Sequence, residues 1–324
     1  MEHLEEKAKN DREKANVALL SIASNTLLTS TKVLVGLISG SVSILAEGIH
    51  SGLDLLAACI AFFAVKQSAK PADTEHSYGH GKIENISGTI EALLIFVAVV
   101  MIVSESLRKL GHIFRGESAE VGSMALGLGL VVMGGAALIN LFVSARLAKV
   151  AKKTDSVALE ADALHLRTDV YTSAGVFAGL LLIKLTGWHI LDPIIALGVA
   201  LIITKAAYDL IKEAFSPLVD KSLPPAEMEI ITGVISRYAD EYLEFHELRT
   251  RKAGAERHVD LHLVVAKNTT VEQVHNLCDT IENEINKQLK STQVLIHAEP
   301  CNIESFHCPT ASSPSSPCQR CRIK

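Results

Sequence analysis

Six stretches of this chain stay apolar for the thickness of a lipid bilayer, and that limits what it can fold into more than any other feature. They fall near 16–38, 42–66, 86–110, 121–146, 157–184 and 190–212, and about 17–25 apolar residues suffice to cross the hydrocarbon as a helix. In hydrocarbon each backbone polar group must be paired within the spanning structure, which leaves helices or a closed barrel. The stretches show no period-two alternation and are rich in Gly, Ala, Ser and Thr. They are therefore expected to be helices packed closely through small residues. A hydrophobic fraction of 48% and a mean hydropathy of +0.29 argue against a disordered chain or a single soluble domain. A net charge of −5 offers no basic surface for nucleic acid, so no nucleic-acid partner is expected.

Lysine and arginine are unevenly shared between the two ends of these spans. Lys7, Lys9, Arg12, Lys14, Lys66, Lys70, Lys82, Arg146, Lys149, Lys152 and Lys153 fall on one side, against Arg108, Lys109, Arg115 and Lys184 on the other. The bias predicts cytoplasmic N- and C-termini. Lys32, inside the first span, is expected to snorkel outward. The second and fifth stretches carry ionisable residues that lower their hydropathy.

The expected domains are a charged N-terminal segment (1–15), a six-span membrane domain (16–212), a C-terminal domain (213–305) and a Ser/Pro-rich disordered tail (306–324). Beyond 213, Pro217, Pro224 and Pro225 mark a linker. Helical spacing over 225–240 and 270–289, and strand-like runs at 243–252, 257–266 and 292–299, give the order α-β-β-α-β. That order suits a small two-layer domain. Of the six cysteines, Cys59 sits in an apolar run, and Cys308, Cys318 and Cys321 belong to the tail, which is not the pattern of a disulfide scaffold. No nucleophile-base set, P-loop or dinucleotide fingerprint is present, so the chain is not expected to be an enzyme.

The chemistry lies in the second and fifth spans. AEGIHSGLD contains His50 and Asp54, and ADALHLRTD contains His165 and Asp169. Residues four apart share a helix face, so each span presents an imidazole and a carboxylate on one stripe. A carboxylate in hydrocarbon costs at least ~2.5–3.5 kcal/mol, and two of them beside two histidines call for a cation. Two nitrogen and two oxygen donors form a tetrahedral set suited to Zn²⁺, whereas Ca²⁺ and Mg²⁺ take more oxygens. Cd²⁺, Co²⁺, Ni²⁺ and Fe²⁺ remain compatible by donor type. Glu47 and Asp162 are read as supporting or packing groups on an adjacent face. A helix–helix clamp of His with Asp is the bland alternative. Because histidine binds metal only when neutral, protons and metal compete for the set.

SVSILAEGIHSGLD, PADTEHSYGHGKIE, ALEADALHLRTD and LDP (191–193) resemble the cation diffusion facilitator family of divalent-metal transporters, over about residues 10–303. The resemblance implies a homodimer of six-helix membrane bundles, each with a C-terminal cytoplasmic α+β domain of ferredoxin-like, metallochaperone-like shape. It implies efflux of divalent cations, Zn²⁺ first and Cd²⁺ next, from the cytoplasm in exchange for protons. The transport site would be His50, Asp54, His165 and Asp169, by alternating access. A histidine at 50 looks like the zinc-type version. Residue spacing leaves two alternatives: an Fe²⁺, Mn²⁺ or Co²⁺ exporter of the same kind, or a membrane-anchored metal sensor without transport. The expected location is a bacterial inner membrane.

The resemblance also implies secondary metal positions. Asp73, His76 and His80 follow the second span; from spacing alone they read as a hydrated loop, and the resemblance makes them a zinc site. Lys82 and Asp220 are implied to form a charge pair; otherwise they are ordinary surface charges. In the C-terminal domain His262, His275, His297 and Glu299 are the implied ligands, with Glu299 where relatives carry Asp. His258 and Asp260 share a strand face with His262. From the strand pattern alone, all of these are ordinary polar positions.

Overall fold

The structure is a computed structural model. It describes residues 2–39, 42–115, 123–186, 188, 190–289 and 291–301, so the tail lies outside the described residues. The chain divides into a unit over residues 1–218 and another over 219–324.

The first unit contains α1 (Glu2–Ser39), α2 (Val42–Ser68), α3 (Lys82–Phe114), α4 (Ser123–Thr154), α5 (Val157–Thr186) and α6 (Leu191–Phe215). The charged N-terminal residues continue the first helix. Five segments among the described residues are long and apolar enough to cross a membrane: Glu6–Ile38, His50–Ser68, Lys82–Phe114, Gly134–Thr154 and Pro193–Val219. The fifth helix is absent from that set. Glu160, Asp162, Arg167 and Asp169 all lie in its first half, and these side chains make it polar.

Two cores explain why α5 can be polar. Val17, Ala18, Ala64, Val65, Val143, Leu147, Leu159 and Leu166 join α1, α2, α4 and α5. Ala92, Ile95, Val99, Ala161, Ala200, Ile203 and Ala207 join α3, α5 and α6. The fifth helix belongs to both cores, so Asp162 and His165 face protein, while Glu160 and Arg167 are exposed. Small residues set the approach of neighbours, as expected where packing drives association. A Cβ on Gly48 would lie 2.8 Å from Val33, and one on Gly175 would lie 2.8 Å from Val199. Leu34, Val97, Met101, Phe142, Leu201 and Ile202 point outward and are exposed, as a lipid-facing surface requires.

The second unit runs α7 (Pro225–Ser236), β1 (Glu244–Ala253), β2 (Glu256–Val265), α8 (Val271–Gln288) and β3 (Thr292–Pro300). The sheet order is β1-β2-β3; β1 pairs antiparallel and β3 parallel with β2. The parallel pairing needs a crossover, which α8 supplies. Its start is fixed by a capping box between Thr270 and Gln273. Val259, Leu261, Leu263 and Val265 face a core with Ile231, Ile235, Ile281 and Ile285. Alternation puts His258, Asp260 and His262 on the opposite face. A bulge interrupts β1 between His246 and Arg249, and Glu247 within it has a φ of 49°.

Candidate metal centres

The i, i+4 spacing on α2 and α5 brings the intramembrane set together. His50, Asp54 and Asp169 each offer a ligand atom within 4.8 Å of the others. His165 joins through Nε2, which lies 3.1 Å from Asp54 Oδ1. The four expected residues form one cluster, in which Asp54 is 5% and His165 7% exposed and His50 and Asp169 are partly buried.

Three neighbours surround the set, of which Asn140 and Glu91 were not read from the sequence. Asn140 of α4 donates from Nδ2 to Asp169 Oδ2 at 3.4 Å. Glu91 of α3 is fully buried, with Oε1 accepting from Ser87 Oγ at 3.3 Å. Lys32 donates from Nζ to Ser51 Oγ at 2.7 Å, beside His50. It therefore turns to α2 rather than snorkelling outward, because the Ser51 hydroxyl gives its ammonium a partner inside the protein. Asp162 is fully buried. The side chain of Glu47 lies outside what is described.

The loop after α2 gathers Asp73, His76 and His80, again with ligand atoms within 4.8 Å. Asp73 Oδ1 accepts the backbone N–H groups of His76 at 2.7 Å and Glu75 at 3.0 Å. The His76 N–H, foremost, holds the Asp73 carboxyl below its ordinary value of 3.8. His76 Nδ1 and His80 Nε2 each stand 3.4 Å from the Asp73 carboxylate. Gly79, at φ 79°, makes the turn that returns its N–H to the His76 carbonyl.

The sheet builds a third cluster by register. His246 pairs with His262, and His262 with His297, so three histidines form a row across β1, β2 and β3. Glu299 bridges them: its carboxylate lies 2.8 Å from His262 Nδ1, 3.7 Å from His246 Nε2 and 3.7 Å from His297 Nε2. The tightest triad is His246, His262 and Glu299. Bulged Glu247 approaches His262 at 3.9 Å. His275 is not brought into the row; it stands exposed on α8, 3.5 Å from Asp279. His246 was missed because its place depends on strand pairing, although an imidazole at a strand position was a visible signal. Asp220 lies 3.6 Å from Arg251 Nη1 within its own unit.

All three clusters combine imidazole and carboxylate, the donor set of Zn²⁺ and its borderline neighbours. Only the first is buried in an apolar bundle, where a cation relieves the burial of its carboxylates.

Comparisons with known proteins agree in class. The profile for a cation efflux transmembrane domain matches residues 18–219. The profile for a cation efflux protein cytoplasmic domain matches 223–301. An uncharacterized transporter, sll1263 of Synechocystis, is 36% identical over 94% of this chain and 96% of its own. The cation-efflux pump FieF of Salmonella paratyphi A is 31% identical over 90% of this chain and 93% of its own. A solved structure of CzrB in its zinc form is 40% identical over 25% of this chain and 92% of that one, with a TM-score of 0.24.

Proposed function

The chain belongs to the cation efflux family of multi-pass membrane transporters, and from that premise we propose that it exports Zn²⁺ from the cytoplasm in exchange for protons. The observation that carries the reading is the buried convergence of His50, Asp54 and Asp169, with His165 bonded to Asp54. Two imidazoles and two carboxylates suit a four-coordinate Zn²⁺, and Cd²⁺ follows by donor type. For metal to enter, His165 must give up Asp54 and be neutral. Protonation of the histidines reverses that step, so proton entry from outside drives metal release. Alternating exposure of the set to the two sides completes the cycle.

Several further assignments belong to the same reading. Both termini face the cytoplasm of a bacterial inner membrane. Two copies form the working dimer. Asp73, His76 and His80 in the loop, and His246, His262, His297 and Glu299 on the sheet, hold resident zinc.

The test is flux in liposomes that trap a zinc-sensitive and a pH-sensitive dye, with Zn²⁺, Cd²⁺, Fe²⁺, Mn²⁺ and Co²⁺ compared. Zn²⁺ entry matched by proton exit, and lost in Asp54→Ala/Asp169→Ala, supports the proposal. Preferred Fe²⁺, Mn²⁺ or Co²⁺ flux keeps the exporter and changes its substrate. The half-buried sheet cluster favours one rival, a membrane-anchored sensor. Metal binding to that cluster with no flux of any metal would establish the rival instead.

A further inference from the structure

We propose that Glu84 is a positioning residue that latches the two ligand-bearing helices together at their cytoplasmic ends, and that each transport cycle opens and remakes this latch. The proposal rests on the exporter reading and its orientation. Glu84 lies in the first turn of α3 and is 1% exposed. Its Oε1 accepts from Ser68 Oγ at 2.8 Å and from Lys14 Nζ at 3.0 Å. Its Oε2 accepts from Ser156 Oγ at 2.5 Å.

The partners give the contact its meaning. Ser68 is the last residue of α2, and Ser156 immediately precedes α5. Those two helices carry His50, Asp54, His165 and Asp169. One carboxylate therefore ties together the matching ends of the helices between which the metal sits. Ser68 is fourteen residues past Asp54 and Ser156 nine before His165, which places the latch about 14–21 Å along the helices from the site. A cation passing between α2 and α5 from that end requires these ends to part.

Lys14, 6% exposed, brings α1 into the same knot and supplies the opposite charge. Asp11 stands 3.4 Å from its ammonium. Both oxygens of the carboxylate are thus engaged, by two hydroxyls and an ammonium. Next to it, α3 is tied to α6 by Asn85 Nδ2, which donates to the Ala214 carbonyl at 3.2 Å. At Gly88 a Cβ would meet Val157 at 2.9 Å, so α3 lies hard against the start of α5. The third helix thereby offers a frame from which Glu84 grips the moving ends. Hydrogen bonds to hydroxyls and a single ammonium can be exchanged for water when the ends separate, so the latch is reversible where an apolar seal of equal area would be less so.

The experiment uses the full chain in liposomes, with metal supplied on the face that bears the α2–α3 loop. In a chain whose six native cysteines are serines, Ser68→Cys/Ser156→Cys is joined by a short bis-methanethiosulfonate reagent and released with dithiothreitol. Cross-linking is expected to cut Zn²⁺ flux at least tenfold and reduction to restore it, so the reduced protein is its own folding control. Separately, Glu84→Ala is expected to lower KM and kcat together, each about fivefold, because the open form gains population and recloses slowly. Glu84→Asp should recover part of both. Continued flux in the cross-linked protein, thiols that do not join, or a fall in kcat with unchanged KM would each overturn the latch. A wild-type protein that moves no metal overturns the exporter reading, and the latch with it.

Discussion

The intramembrane set and the sheet cluster use the same side chains in opposite surroundings. His50, Asp54, His165 and Asp169 project from two helices into an apolar bundle, and Asp54 and His165 are nearly inaccessible. His246, His262, His297 and Glu299 project from three strands onto a half-exposed face. Water can complete the second cluster when no ion is bound, and it has little access to the first. A buried carboxylate without its cation is costly, whereas a hydrated one is not. Equal donor chemistry thus carries unequal obligation. The bundle depends on its cation or on protons, and the sheet can bind an ion or go without.

The sharpest way to break this comparison is to remove one carboxylate from each cluster. Asp169→Ala is expected to lower Zn²⁺ flux at least 100-fold in liposomes, a loss of roughly 3 kcal/mol or more of transition-state stabilisation. Glu299→Ala is expected to weaken metal binding by the sheet about tenfold, read by calorimetry, and to leave flux within about threefold. Comparable flux losses in the two variants would collapse the distinction.

Neutral substitutions of similar shape sharpen it. In metal-free protein Asp169→Asn removes a partly buried charge and should raise stability by about 1 kcal/mol, seen as a higher unfolding temperature. Glu299→Gln, on the open face, should change stability by less than about 0.5 kcal/mol.

These outcomes bear on what the sequence could reveal. The intramembrane set was legible because a helix fixes the angle between residues four apart before any tertiary contact forms. His50 with Asp54, and His165 with Asp169, needed only that their helices face each other. The order α-β-β-α-β was legible for the same reason, since each element carries its own periodicity. The sheet row was legible only in part. His262, His297 and Glu299 share a parity that local pattern gives, but His246 enters through register and through a bulge that only pairing defines. His275 has suitable chemistry and stands elsewhere, beside Asp279. Glu84 gave no local signal, because its partners lie far away in the chain, at residues 14, 68 and 156.

Smaller effects are expected outside both clusters. The folded loop holds Asp73 below 3.8 through the His76 N–H. The carboxylate therefore stabilises the turn at every pH above the ordinary value, and that support is lost as pH falls through the lowered one. Protection of the His76 amide against exchange, taken relative to an unstructured peptide at each pH, should hold down to pH 3.8 and fall only below it; protection that begins to fall above pH 5 would contradict this. Smallest of all, the exposed Lys153–Glu13 pair is expected to change stability by less than about 1 kcal/mol on Lys153→Ala, read by the same melt.

The four-residue spacing on α2 and α5 has a consequence for descent. Substitution changes a donor in place, so a lineage can exchange one metal for another by small steps that each leave the helix intact. Deleting a single residue between His165 and Asp169 instead swings one ligand about 100° around the axis and abolishes the site at once. Length within these two segments is therefore closed to variation, while identity at position 50 stays open. The connection at 237–243, between α7 and β1, is free of that restriction. Insertions and deletions should collect in segments of its kind, and changes in substrate should arise without them.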